Sequence, residues 1–369
     1  MYNWQRENWP QFKFTTTHLE PVVGAIMLKS GEINGKLAAL PEDLSISMLM
    51  EILILEAIKT SEIEGEFFSK IQIMSSIEHN LGLIVQQNPK DKNAIGVSKM
   101  LLQVRETYAQ ELSESQLKEW HTSLLGNQKN IHAGEYRKQK APMQIISGSF
   151  ANPKINYEAP PSATVPSEMA RFIEWFNEST YLSPPVKAAV AHLYFESIHP
   201  FEDGNGRIGR AIAEKALSQG LNFPLPFSIS LAIEKHRKAY YEALQKAEKS
   251  LDISEWIDWF LRILQEAQTS ADQMITLTIA KFHFFNRHDS LLNERQRKAI
   301  HRMFEAGPDG FQGGMNVQKY IGITGASKAT ATRDLQNLVE MNIFKSNIAS
   351  RSTSYQLILL NESFMFVKQ

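Results

Sequence analysis

From Pro41 to Lys59, apolar residues recur every three or four positions, at Leu44, Met48, Ile52, Leu55 and Ile58. That spacing predicts a helix with one buried face, and Gly65 is placed to cap its end. Helical patterns also run over 92–110, 114–125 and 165–177. Between the last two lies EYRKQKAPMQIISGSF, where Pro142 and Gly148 bracket a short β-prone run. It predicts a small hairpin, the single strand pair expected in the central region. NPKINYEAPP then carries too many prolines for regular structure. Pro184 and Pro185 suit a first helical turn, and VKAAVAHLYFESI extends that helix to Pro200, which ends it. A second helix is expected from about Gly206 to Ser218, stopping at Gly220, and further helices over 232–249 and 253–286.

Past residue 290 the pattern changes. NERQRKAIHRMFEAG, VQKYIGI and ASKATATRDLQNLVEMN read as three short helices, and IFKSN and SYQLIL as two strands around a turn. That order is a helix-turn-helix with a β-wing. The fold class is therefore mainly α, in three parts: a helical region over 1–95, a core over 96–286 and a winged-helix domain over 287–369.

Composition narrows the class. The chain has 369 residues, 43% hydrophobic, enough for real cores, and a net charge of −1, so as a whole it carries no field for nucleic acid or membrane. It has no cysteine, which excludes disulfides, a thiol nucleophile and thiolate metal sites. The opening MYNWQRENWPQFKF does not read as a signal peptide. SMLMEILILEAI is interrupted by Glu51 and Glu56 and is too short to span a membrane. A cytoplasmic location is the expectation.

The chemistry concentrates in HPFEDGNGRIGR, residues 199–210. Asp203-Gly204-Asn205-Gly206 forms a tight turn that lets backbone N–H groups face outward. It runs into a helix N-terminus, which favours an anion. Arg207 and Arg210, three apart, point from one helix face and add two guanidinium forks. Together these describe a polyphosphate site. A carboxylate beside the turn, Asp203 or by spacing alone Glu202, can hold a Mg²⁺ that also binds phosphate oxygens. His199 has a ring able to accept a proton near neutral pH.

Residues 199–210 resemble the signature of the Fic family, His-x-Phe-x-Asp-Gly-Asn-Gly-Arg-x-x-Arg, at every specified position. The resemblance implies a protein adenylyltransferase that uses ATP with Mg²⁺ and moves AMP to a Ser, Thr or Tyr hydroxyl of a target protein or of itself. It makes His199 the base and Asp203 the Mg²⁺ ligand. Gly204, Asn205 and Gly206 become a phosphate cradle, Arg207 and Arg210 ligands of the β- and γ-phosphates, and Phe201 an anchor for the loop. A kinase-type relative has Lys at the second glycine, where this chain has Gly206. GEYRKQKAPMQI resembles the family's flap, which implies that Pro142, Met143, Gln144 and Ile145 bind an extended target segment by strand addition. Tyr241 matches a position lining the adenine pocket, with simple core packing as the competing reading. The resemblance covers about 50–265 and, more loosely, the WQRENWP opening and the C-terminal domain.

TSEIEGE is similar to the family's inhibitory motif through Thr60, Glu64 and Gly65. This implies that Glu64 contacts Arg210 and autoinhibits transfer. Some relatives with this glutamate also remove AMP, so removal is kept as the alternative. A second alternative is a DNA-binding regulator, with Ser327 to Arg333 opening a recognition helix and Arg351 on the wing. Residues 326–351 hold four basic and two acidic side chains, a modest balance for phosphate contacts, so a protein-contacting role or support for a homodimer is preferred for this domain.

Overall fold

The computed structural model describes residues 1–15, 18–83, 89–149, 152–349 and 352–359. In chain order the elements are α1 (Glu20–Ala38), α2 (Glu42–Ile63), α3 (Lys70–Asn80), α4 (Lys92–Glu106), α5 (Glu114–Leu125), β1 (Gln144–Ser149), β2 (Asn152–Glu158), α6 (Val165–Glu178), α7 (Pro184–Ile198), α8 (Asn205–Leu221), α9 (Ile229–Lys235), α10 (Arg237–Ala247), α11 (Ser254–His288), α12 (Glu294–Phe304), α13 (Val317–Thr324), α14 (Lys328–Glu340), β3 (Phe344–Ala349) and β4 (Ser352–Leu357). Arg351 lies outside the described residues. The chain is mainly helical, and its four described strands form two antiparallel pairs.

Every residue of α7 from Pro185 to Ile198 is buried. A helix buried all round belongs in the centre of a core, and α7 packs most extensively against α8. α6 buries one stripe, through Val165, Met169, Phe172 and Phe176. Side-chain caps set several helix starts: Asp91 accepts from Asn93 and Ala94, and Ser113 from Gln116.

Several expectations need correction. NPKINYEAPP is not irregular: residues 152–158 form β2, paired antiparallel with β1 and with Gly148 opposite Pro153. A two-stranded ribbon has only edge strands, where a proline's missing N–H breaks no central ladder. The 232–249 helix is two helices, divided at His236 (φ −117°, ψ 28°), which ends α9 and begins α10. α2 runs past Lys59 to Ile63, and α8 ends at the left-handed Asn222 (φ 61°) rather than at Gly220. The sequence pattern does not predict α1 or α3.

The chain divides into two compact units, 1–271 and 272–369. Ile26, Leu53, Ile54 and Ala57 of the N-terminal helices share one apolar core with α6, α7 and α8. Phe284 packs with Leu292, Ile300, Phe304 and Tyr320 in a separate core. Among the described residues, no helix is long and apolar enough to cross a membrane.

Candidate active site at the start of α8

His199 follows α7 in the left-handed conformation (φ 50°, ψ 59°), its N–H bonded to Phe195 O at 3.0 Å. That conformation costs a non-glycine residue on the order of 1 kcal/mol or more, so neighbours must hold it. Phe201 is fully buried and stacks on His121, centroids 4.1 Å apart. His121 in turn accepts from Gly134 N–H at Nδ1 (2.7 Å), so its Nε2 donates to Asp203 O (3.2 Å). Asn205 accepts from Phe201 N–H (3.0 Å) and donates to Phe201 O (2.9 Å). Its side chain is therefore committed to the loop's shape. What Asn205 can offer a phosphate is its main-chain N–H, a narrower role than the resemblance implies. Gly204 (φ 79°) opens α8, and a Cβ there would lie 3.0 Å from Leu125. Only glycine fits both demands.

His199 lies in a cavity of ≈ 670 Å³, together with Glu64, Glu196, Gly206, Tyr240, Tyr241 and Ile145. The volume suits a nucleotide-sized ligand. His199 Nδ1 is 3.8 Å from Glu196 Oε2 and has no hydrogen-bond partner. Burial, followed by the charge of Arg137, holds the imidazole down to about 4, so the ring is neutral at physiological pH. Burial, reinforced by Glu64, pushes the Glu196 carboxyl up to about 8.

Both arginines are buried and taken. Arg210 Nε donates to Thr60 Oγ1 (2.8 Å), and its Nη2 donates to Thr60 O and to Glu64 Oε1 (2.9 Å each). Arg207 Nη1 donates to Glu66 Oε2 at 2.8 Å and lies 3.8 Å by Nη2 from Asp203. Arg207 Nε and Arg210 Nη1 are left without partners.

The end of α2 explains how two acids reach two arginines. Gly65 is left-handed (φ 84°), Gly65 N–H bonds Glu62 O (3.0 Å), and Glu66 N–H bonds Ser61 O (2.9 Å). This is a Schellman close, which needs glycine or asparagine after the cap residue. It reverses the chain so that Glu64 and Glu66 bracket the first turns of α8. A Cβ on Gly206 would run into Glu64 Oε1, so that carboxylate lies over the helix N-terminus where an anion is favoured.

The two acids of the loop face different ways. Glu202 accepts from His132 N–H at 3.3 Å. Asp203 keeps a half-exposed side chain (52%) and accepts from Gly204 N–H at 2.6 Å. Among the described residues no group of three or more His, Cys, Asp or Glu could hold a metal. A single exposed carboxylate fits a Mg²⁺ whose remaining ligands are phosphate oxygens and water, and not a site built by protein alone.

Tyr241 is 42% exposed and lines the cavity, which is not core packing; its OH donates to Ile63 O at 3.2 Å. On the hairpin, Ile145 reaches the cavity, Gln144 donates to Glu158 (2.8 Å), Met143 O accepts from Ala159 N–H, and Pro142 is exposed. Sequence reasoning missed Glu66, Glu196, His121 and Arg137. The doubled acid in EGE was the one signal available for Glu66.

Residues 111–217 match the Fic/DOC family, and residues 2–83 match a domain of unknown function, DUF4172. The Fic/DOC match takes in this loop. It is 29% identical over 192 residues to a protein adenylyltransferase Fic of Culex quinquefasciatus, covering 51% of this chain and 35% of that protein. It is 28% identical over 240 residues to protein adenylyltransferase fic-1 of Caenorhabditis briggsae, covering 62% and 44% respectively. These matches take in less than half the length of those relatives. In fold it is similar to a Fic family protein from Desulfovibrio desulfuricans G20, with a TM-score of 0.54, 21% identity, and coverage of 95% of this chain and 98% of that one.

Proposed function

We propose that this chain is a protein adenylyltransferase held at rest by the end of α2. The observation that carries the reading is the convergence, on one cavity, of the His199 imidazole and the glycine-opened N-terminus of α8, the helix that also carries the buried Arg207 and Arg210. His199 takes the proton from a target hydroxyl as its oxygen attacks the α-phosphorus of ATP. The bond from that phosphorus to the bridging oxygen breaks, and pyrophosphate leaves. The α8 N-terminus, Arg207 and Arg210 hold the phosphates and offset the charge that grows on the leaving group. Asp203 is the residue to hold Mg²⁺, which would neutralise phosphate charge when bound. Tyr241 borders the space for the adenine.

Rest is supported by the pairs Glu64–Arg210 and Glu66–Arg207. While both stand, the γ-phosphate lacks its arginine and meets the Glu64 carboxylate. The target is proposed to add a strand to the hairpin, where Ile146 and Ile155 are 55% and 48% exposed. α12–α14 with β3 and β4 are proposed to form a winged helix, and its exposed Lys328 and Arg333 suit a protein or DNA partner.

The test is a lysate incubated with the protein and ATP labelled at either phosphate. Label from the α-phosphate alone is expected on protein; label from the γ-phosphate alone overturns the reading. Removal of AMP is a second reading, favoured by the position of the Glu64 carboxylate at the cavity, where it can align a water. A pre-adenylylated target would then release AMP with wild type and not with Glu64→Gly.

A further inference from the structure

Arg137, between α5 and β1, is 2% exposed and has no carboxylate partner among the described residues. A buried cation needs compensation, and here main-chain carbonyls supply it. Its Nε donates to His199 O at 2.7 Å, and its Nη2 donates to Pro160 O at 2.5 Å and to Ile198 O at 3.3 Å. Its own N–H donates to Pro200 O at 2.9 Å. Ile198, His199 and Pro200 are three successive residues at the end of α7, where acceptors lack helical partners and the dipole favours a cation. One residue thus grips both sides of the left-handed turn at His199. Pro160 follows β2, so the same guanidinium joins that turn to the root of the hairpin.

We infer that Arg137 is the positioning residue of the site, fixing the main chain of His199 so that its imidazole is presented to the cavity. His199 has a reaction to be positioned for only under the transfer reading, and to that extent the inference rests on it. The guanidinium also disfavours a protonated ring. The other groups that face His199 are Glu196 of α7 and Asp203 of the loop, and the same cavity is lined by the acids Glu64, Glu242 and Glu248 and the bases Lys154, Arg237 and Lys238. Burial is the largest cause of the lowered His199 value and Arg137 the next. Loss of Arg137 therefore raises the ring's midpoint and still leaves it neutral at physiological pH. A rate lost at neutral pH then reports geometry.

The experiment uses the full chain carrying Glu64→Gly, with Arg137→Gln or Arg137→Lys added. Arg137→Gln is expected to lower kcat at least ~10-fold, within the ~100-fold that a 1 Å misplacement can cost, with KM for ATP changed less than about twofold. Arg137→Lys keeps the charge but has only one donor nitrogen in place of the fork, so its kcat falls between the other two. NMR of histidine-labelled protein, with His199 assigned by His199→Ala, follows the ring titration. Its midpoint should rise in Arg137→Gln and stay in Arg137→Lys. An unchanged His199 signal and midpoint in Arg137→Gln, or a raised KM with kcat kept, overturns the inference. If Arg137→Gln does not fold, a parent-like kcat in Arg137→Lys overturns it. If the parent transfers no AMP, the transfer reading falls, and the NMR arm still decides the clamp.

Discussion

Replacing Glu64 by glycine removes the carboxylate that Arg210 holds at 2.9 Å and clears the space over Gly206. Arg210 keeps its two bonds to Thr60, so only the Glu64 contact is released. A hydrogen bond between charged groups contributes about 1.5–3 kcal/mol. The Arg210 side chain is 1% exposed, but Glu64 is 30% exposed, and solvent screening puts the value near the lower end. At about 1.5–2 kcal/mol, and ~1.4 kcal/mol per factor of ten, productive ATP binding should improve roughly 10- to 30-fold. The assay is the initial rate of self-labelling from α-labelled ATP below saturation, for wild type and Glu64→Gly, with melting temperatures checked for both. Arg210→Ala added to Glu64→Gly should lower the rate again, because the γ-phosphate then has no arginine to hold it. A change smaller than about twofold in Glu64→Gly, with both proteins folded, would refute the lock.

Glu66→Ala in the Glu64→Gly background frees Arg207 as well, and a further rise of about 3- to 10-fold in self-labelling is expected, since Glu66 is partly exposed at 26%. No further rise would leave Glu66 a surface partner only. Because burial holds His199 down to about 4, kcat should stay level from neutral pH to about 5 and fall as pH approaches 4. A limb near the ordinary histidine value of ~6.5 would contradict this. Asn205→Ala leaves the buried N–H and C=O of Phe201 unpaired and should cost about 2–4 kcal/mol, read as a lower melting temperature with or without ATP. A melting temperature equal to wild type would show that Asn205 does not brace the loop.

How much of this was legible depended on whether the chemistry was contiguous in the chain. Residues 199–210 carry the glycine turn, the helix start, the histidine and both arginines within one local segment, so local rules reach them. Helices with clear periodicity, such as α5 and α7, were legible for the same reason. α1 carries Gly24, Gly31 and Gly35, which weaken its helical signal, although Ile26, Ser30, Ile33 and Leu37 do form a buried stripe. β2 was obscured by Pro153, because edge position is a property of the sheet and not of the segment. Glu64 and Arg210 are 146 positions apart (210 − 64), and only the family resemblance joined them beforehand. Arg137 was out of reach altogether, because nothing in EYRK records that two carbonyls from a distant helix end and a third from beyond β2 will surround its guanidinium.

The central claim is that His199 drives transfer of AMP, and intact-mass spectrometry tests it most directly. Glu64→Gly protein incubated with ATP and Mg²⁺ should gain the mass of one or more AMP groups, and the same protein with His199→Ala added should gain none. A gain of phosphoryl mass instead, or an AMP gain that persists without His199, would contradict it.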